Sequence, residues 1–290
     1  MLRAPLLILL ALLWSLPTEA QTQAACTFNF FSKTAKIFQN GTTVYMQPVG
    51  INDFGTIVGN ALTVTDSGLI RWANGGVTFV KGISSLQARN DHGTGVGFDL
   101  TGKAVLVGPT SSPSITPIVL AVNNPDIFAV NGINKWGTTV GAYEPPDRFR
   151  SHGFKLWENG TTHKLDFPGV LVTQPNGIND NGTVVGSYFT PDNSAHGFIF
   201  HNGQWATLDY PHASDTVLVG ITNAGKIIGN AFKNISITPF LYENGTFKEI
   251  SVPNSAPGEP KLMSISPKQG LILGITGVTV SQPAFIAQCQ

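Results

Sequence analysis

Two cysteines, Cys26 and Cys289, are all that this chain of 290 residues contains, so a multi-disulfide scaffold and a thiol-rich zinc site are both excluded. Charge is scarce too. Asp, Glu, Lys and Arg make up 12% of residues, where about a quarter is usual, and 17 basic side chains balance 17 acidic ones. A neutral chain offers no electrostatic footprint for nucleic acid or for an anionic membrane. No segment shows the apolar spacing of an amphipathic helix. The apolar run from Leu6 to Leu16 is too short to span a membrane. Neither a Gly-x-Ser-x-Gly elbow nor a lone reactive cysteine is present, which removes two common routes to nucleophilic hydrolysis.

Glycine, by contrast, is plentiful at 32 residues, and much of it is periodic. A turn motif returns six times: Gly50-Ile51-Asn52-Asp53-Phe54-Gly55, Asn90-Asp91-His92-Gly93, Gly132-Ile133-Asn134-Lys135-Trp136-Gly137, Gly177-Ile178-Asn179-Asp180-Asn181-Gly182, Gly220-Ile221-Thr222-Asn223-Ala224-Gly225 and a worn Ser264 to Gly270. A further glycine closes each copy, at Gly59, Gly97, Gly141, Gly186, Gly229 and Gly274, with intervals of 38, 44, 45, 43 and 45 residues. Periods in the low forties fit one four-stranded propeller blade or a helical repeat, so the content of the repeat decides.

That content is β throughout. Branched runs such as Thr183-Val184-Val185 follow the turns, and a second strand such as Gly197-Phe198-Ile199-Phe200 leads to an Asn-Gly pair at Asn159-Gly160, Asn202-Gly203 or Asn244-Gly245. Asn-Gly predicts primed hairpin turns, because both residues tolerate positive φ. Third strands then run to Pro168, Pro211 and Pro253, where proline's missing donor ends a ladder. With the Gly-Ile-Asn segment as the remaining strand, each unit supplies four. The expected fold is an all-β propeller of six antiparallel blades, with seven as the alternative, in a single domain over residues 21–290. Residues 36–47 read as second and third strands of an incomplete repeat, and Pro283 to Gln288 as a second strand lacking its third, so the termini are expected to complete one blade and remove an open edge. The stretch from Gly108 to Pro125, rich in Ser and Pro, predicts a long loop in the third unit.

Residues 1–20 read as a signal peptide: Arg3 supplies the positive start, Leu6 to Leu16 the apolar core, and Thr18-Glu19-Ala20 the cleavage site. Secretion permits a Cys26–Cys289 disulfide that staples the closing blade, worth roughly 4 to 5 kcal/mol for so long a loop. A lipobox at Gln23-Ala24-Ala25-Cys26 has Gln23 where leucine is usual and would leave Cys289 unpaired.

The phrase Gly177-Ile178-Asn179-Asp180-Asn181-Gly182-Thr183-Val184-Val185-Gly186-Ser187-Tyr188, followed by His196-Gly197-Phe198 and Leu208-Asp209-Tyr210-Pro211, is similar to the bacterial extracellular HAF repeats. These are known by a His-Ala-Phe tripeptide. His152-Gly153-Phe154 with Leu165-Asp166-Phe167-Pro168 repeats the resemblance, which spans nearly all of residues 21–290. Glycine stands here for the alanine, and units two, five and six lack the histidine. The resemblance implies an exported repeat protein and carries no activity or cofactor.

Functional candidates are therefore sought where the repeat is irregular: Arg89, Asp91 and His92 in the second unit, and Asp147, Arg148 and Arg150 in the loop from Glu144. The His152/Asp166 and His196/Asp209 couples recur, which marks them as packing elements. No cofactor is expected. Calcium is the one alternative, since Asn179-Asp180-Asn181-Gly182 resembles the oxygen-rich start of a calcium loop; these side chains are better placed to bond their own turn. The aromatics Trp72, Trp157, Phe200 and Tyr242 read as one register, the signature of packing against a neighbouring blade, although they also suit sugar stacking. The expected function is that of an exported monomeric binding module for a protein, cell-surface or glycan partner. A polysaccharide hydrolase or lyase acting at the channel is the alternative.

Overall fold

Branched and small residues alternate along each repeat, and four successive segments of this kind hydrogen-bond into one antiparallel sheet. The described residues form six sheets on this plan, two of them with a short fifth strand at an edge, and no helix. In the computed structural model these residues are 22–36, 43–62, 67–112, 114–122, 125–146, 150–256, 258–277, 279 and 282–290. Residues 1–20, read above as a signal peptide, and Asp147 and Arg148 lie outside them.

The strand carrying each Gly-Ile-Asn segment is innermost. These inner strands are Thr43–Ile51, Ile83–Arg89, Asp126–Ile133, Val172–Ile178, Asp215–Ile221 and Lys261–Ile265. Each touches the inner strands on either side, and the sixth touches the first. The result is a six-bladed β-propeller, and the seven-blade alternative falls away. Blade four shows the plan from the centre outward: Val172–Ile178, Val184–Phe189, Ala195–His201 and Gln204–Thr207. Because direction reverses at every strand, the Asn turns share one end of the ring with the Asn-Gly hairpins, and loops such as 190–194 occupy the other.

Hydrophobic burial lies between blades. Ile221 of one inner strand packs with Val185 of the preceding blade, and Ile265 with Ile228. Fully buried rings at Phe154, Phe198, Phe240 and Phe285 recur in four blades. The periodic closing glycines make room for them: a Cβ on Gly186 would collide with the Phe198 ring and the Gln174 carbonyl.

The sixth blade, Lys261–Ile265, Ile272–Ile275 and Ala284–Cys289, takes its outer strand from the other end of the chain. That strand is Cys26–Phe31, paired from Cys26 opposite Cys289 to Phe31 opposite Ala284, and the two cysteines form a disulfide. Closure by the termini is thus as expected, but through another segment than residues 36–47. Thr34–Lys36 pairs with the start of the inner strand Thr43–Ile51, and 37–42 lie outside the described residues. The buried ammonium of Lys33 donates to the carbonyls of Gly277 (3.2 Å) and Thr279 (2.5 Å), tying the strand's exit to the far end of blade six.

Three further expectations need correction. The stretch from Gly108 to Pro125 includes a short outer strand, Ile115–Pro117, which belongs to blade two. Asn202-Gly203 and Asn244-Gly245 have positive φ at both residues, as primed turns require, whereas at Asn159-Gly160 only the glycine does. That loop is one residue longer, with the Trp157 N–H bonded to the Thr161 carbonyl. The supposed aromatic register fails as well. Phe198 and Phe154 face equivalent glycines, Gly186 and Gly141, so Phe200 corresponds to Leu156, and Trp157 to His201.

Candidate binding site

Site geometry begins with the six turns, which are wired to one another. Asn179 accepts the N–H groups of Asn181 (3.1 Å) and Thr183 (3.0 Å) on its Oδ1, then donates from Nδ2 to the Thr222 carbonyl of the next blade (2.9 Å). Asn134 does the same toward Asn179 (3.1 Å), Asn90 toward Asn134 (3.0 Å) and Asn52 toward Asn90 (3.4 Å). Following residues make a second circuit: the N–H of Asp53 donates to Asp91, that of Lys135 to Asp180, and that of Asp180 to Asn223. Asp53 in turn accepts from Lys268 (2.9 Å) and Gln269 (2.6 Å), which joins the sixth turn to the first. Repeated Asn and Asp are therefore structural side chains whose oxygens already hold backbone donors.

Inside this ring lies a central cavity of about 350 Å³, with Gln87, Asn131, Asn176, Lys261 and Met263 on its wall and Asp91, Lys135 and Asp180 at its turn end. Asn131 and Asn176 donate across blades to the carbonyls of Pro175 and Leu218, both at 2.9 Å. The Asp91 carboxyl is pushed up to about 6, first by burial and then by the hydrogen bond and charge of Asp53, with Asp180 adding to the effect.

A second cavity, of about 460 Å³, opens beside the first between blades two and three. Leu106, Ile118 and Leu156 supply apolar lining, and Trp136 and Trp157 join them. His92, Thr94, Thr116 and Glu158 bring polar atoms. Trp136 is 61% exposed, yet fixed: its indole N–H donates to the Asp180 carbonyl (3.0 Å), and the Lys135 ammonium sits 4.6 Å from a ring centroid. The irregular segment after Ile115–Pro117 forms part of the border through Ile118 and Val119.

The irregular residues singled out in the sequence part company here. Arg89 and Asp91 both line the central cavity and His92 the groove, and the Arg89 guanidinium lies over Trp72, 5.2 Å from a ring centroid. Arg89 occupies the position that is isoleucine in the five other blades, Ile51, Ile133, Ile178, Ile221 and Ile265, and burial holds its pKa below the usual arginine value. Arg150 is exposed at the opposite end of the ring. Sequence reasoning missed Trp136 as a candidate, although the loss of repeat regularity between Gly108 and Pro125 pointed to this side of the ring.

The recurrent couples are hydrogen-bonded pairs: His152 Nδ1 lies 2.9 Å from Asp166 and His196 Nδ1 2.7 Å from Asp209. Tyr143 and Tyr188 pack on the two imidazoles, and Asp209 also accepts the Gly197 N–H. In the turn weighed for calcium, Asp180 accepts from Lys135 and Asn223. Among the described residues no group of three or more His, Cys, Asp or Glu side chains is arranged to hold a metal.

Fold and cavities define a six-bladed propeller with a central cavity of mixed polar and apolar lining and an aromatic interblade groove. No family model and no curated protein matches the chain. Solved structures do: TolB from Acinetobacter baumannii, at TM-score 0.55 and 11% identity, over 82% of this chain and 65% of that one. An oligogalacturonate lyase in complex with manganese is similar at TM-score 0.51 and 11% identity, over 93% and 99% of the two chains. A mutant Aleuria aurantia lectin in complex with alpha-methyl-L-fucoside gives 0.50 and 11%, over 94% and 96%. This chain thus spans less than two thirds of the TolB length, and at such identities the likeness is one of fold.

Proposed function

We propose that the chain is an exported, non-catalytic binding propeller of the HAF-repeat kind, which presents the turn end of its ring to an extracellular partner. The groove between blades two and three carries this reading. It places two tryptophans beside His92 and Glu158, whose side chains have no partner among the described residues, in a part of the ring that departs from the repeat. Export agrees with the Cys26–Cys289 disulfide and with the signal sequence read at 1–20. The described residues hold no helix long and apolar enough to cross a membrane.

The alternative, a polysaccharide hydrolase or lyase at the channel, draws on Asp91, whose carboxyl keeps its proton to near pH 6. Glycoside hydrolysis needs two carboxyls about 5 to 9.5 Å apart around a scissile bond. Asp91 and Asp53 are instead in hydrogen-bond contact, which leaves no room for that bond between them. Binding of residues 21–290 to insoluble cell-wall fractions, with chromatography of the supernatant for released oligosaccharides, tests the proposal. Retention without products is expected; product release that Asp91→Asn abolishes would establish the enzyme instead.

A further inference from the structure

We infer that the groove between blades two and three is a subsite for a neutral pyranose unit of an extracellular polysaccharide, an inference that deepens the binding reading and rests on it. A pyranose has an apolar face of C–H bonds and a rim of hydroxyls. It therefore asks for an aromatic plane with hydrogen-bonding groups at its edge. The groove offers both. Trp136 and Trp157 are its large rings, Leu106, Ile118 and Leu156 its other apolar lining, and Thr94 and Thr116 bring hydroxyls. His92 and Glu158 are exposed there, and none of their hydrogen bonds or ion pairs occurs among the described residues.

Two observations separate this groove from ordinary interblade packing. Its apolar rim is left open to solvent: Trp136 is 61% and Val119 73% exposed, an arrangement that an isolated ring does not need. Trp136 is also held in place without a ligand, by its indole bond to Asp180 and by the Lys135 ammonium, so that little ordering cost remains for binding. The position two residues before Thr138, held here by Trp136, is Phe54 in blade one, His92 in blade two, Asn181 in blade four and Ala224 in blade five, so a tryptophan there is a property of this groove and not of the repeat.

Charge selects against an acidic sugar. Lys135 is the lysine at the groove, and it already faces Asp180 at 3.9 Å. Glu158 lines the groove itself, and Asp91 follows the groove residue Asn90 in the chain. With Lys135 already facing Asp180, a uronate carboxylate would meet Glu158 without a free cation among the lining residues, whereas neutral hydroxyls can donate to Glu158 and accept from Lys135 or a hydroxyl of Thr94 and Thr116.

Calorimetric titration of residues 21–290 with cellohexaose, xylohexaose, mannohexaose and maltohexaose, and with hexagalacturonate as the acidic probe, tests the subsite. At least one neutral hexasaccharide should bind, Trp136→Ala should weaken it at least tenfold, and Trp136→Phe should recover part of the loss. Phe54→Ala, at the corresponding turn position but outside the groove, should leave affinity unchanged. Binding untouched by Trp136→Ala, loss of equal size in Phe54→Ala, preference for hexagalacturonate, or no binding of any hexasaccharide would each overturn the subsite. Retention of the protein on cell-wall fractions alongside such a failure would leave the broader binding reading standing; loss of both would remove the two together.

Discussion

Asn179 shows how much one side chain does in this ring. It is 2% exposed, and its amide serves two N–H groups of its own turn and one carbonyl of the next. Asn179→Ala leaves those backbone groups without partners in a site that water does not readily reach, and should cost about 3 kcal/mol in urea denaturation. Asn223→Ala, in the more accessible second circuit, should cost about 1 kcal/mol. Asp91 works in the other direction. Its carboxyl is raised to about 6 in the fold from 3.8, so the folded state holds a proton that the unfolded chain has released. Below pH 4 both states are protonated and the group has no effect on stability. Between pH 4 and pH 6 stability falls as pH rises, and above pH 6 the whole penalty is present. Asp91→Asn keeps an oxygen for the Asp53 N–H and removes the charge. Its melting temperature should exceed that of the parent at pH 8 and match it near pH 3.5.

At the level of strands and turns, the repeat was legible because each of its signals has a local cause. Closing glycines stand where a Cβ has no space, and Asn recurs because a turn with several unpaired N–H groups needs an acceptor within it. Gly186→Ala tests the first of these: the collision with Phe198 and with the Gln174 carbonyl involves a buried ring and backbone, neither of which yields cheaply, so a loss of about 2 to 4 kcal/mol is expected in chemical denaturation. What escaped the sequence was register and pairing between distant segments. Trp72, Trp157, Phe200 and Tyr242 look equivalent along the chain, yet counted from the strand residues that face Gly59, Gly141, Gly186 and Gly229 the two tryptophans stand one place beyond Phe200 and Tyr242. The groove was hidden for a similar reason. His92 and Trp136 lie 44 residues apart and meet only because adjacent blades stand side by side, and a short outer strand inside a Ser- and Pro-rich stretch carries too weak a pattern to be seen.

For the molecule as a whole, closure is the decisive event, since five complete blades leave an open ring until Cys26–Phe31 pairs with Ala284–Cys289. That pairing brings together strands from opposite ends of the chain, so its entropic cost is among the largest in the fold. The disulfide removes most of this cost by joining residues 263 positions apart in the unfolded chain as well as in the folded one. Lys33 acts on the same closure without covalent help. Its ammonium, whose pKa burial lowers, is held by carbonyls of the loop that precedes the last strand. The Cys26→Ser, Cys289→Ser double variant should therefore lose about 4 kcal/mol of stability. Reduction of the parent protein should reproduce that loss, whereas Lys33→Met should cost less because an apolar side chain can fill its place. Hydrogen exchange locates the effect: faster exchange should begin in the sixth blade and in the inner strand of the first, with the amides of blades three and four protected until the ring opens as a unit. Uniform acceleration across all six blades would mean that the termini are no weaker than any other interblade contact, and that the disulfide acts on the unfolded chain alone.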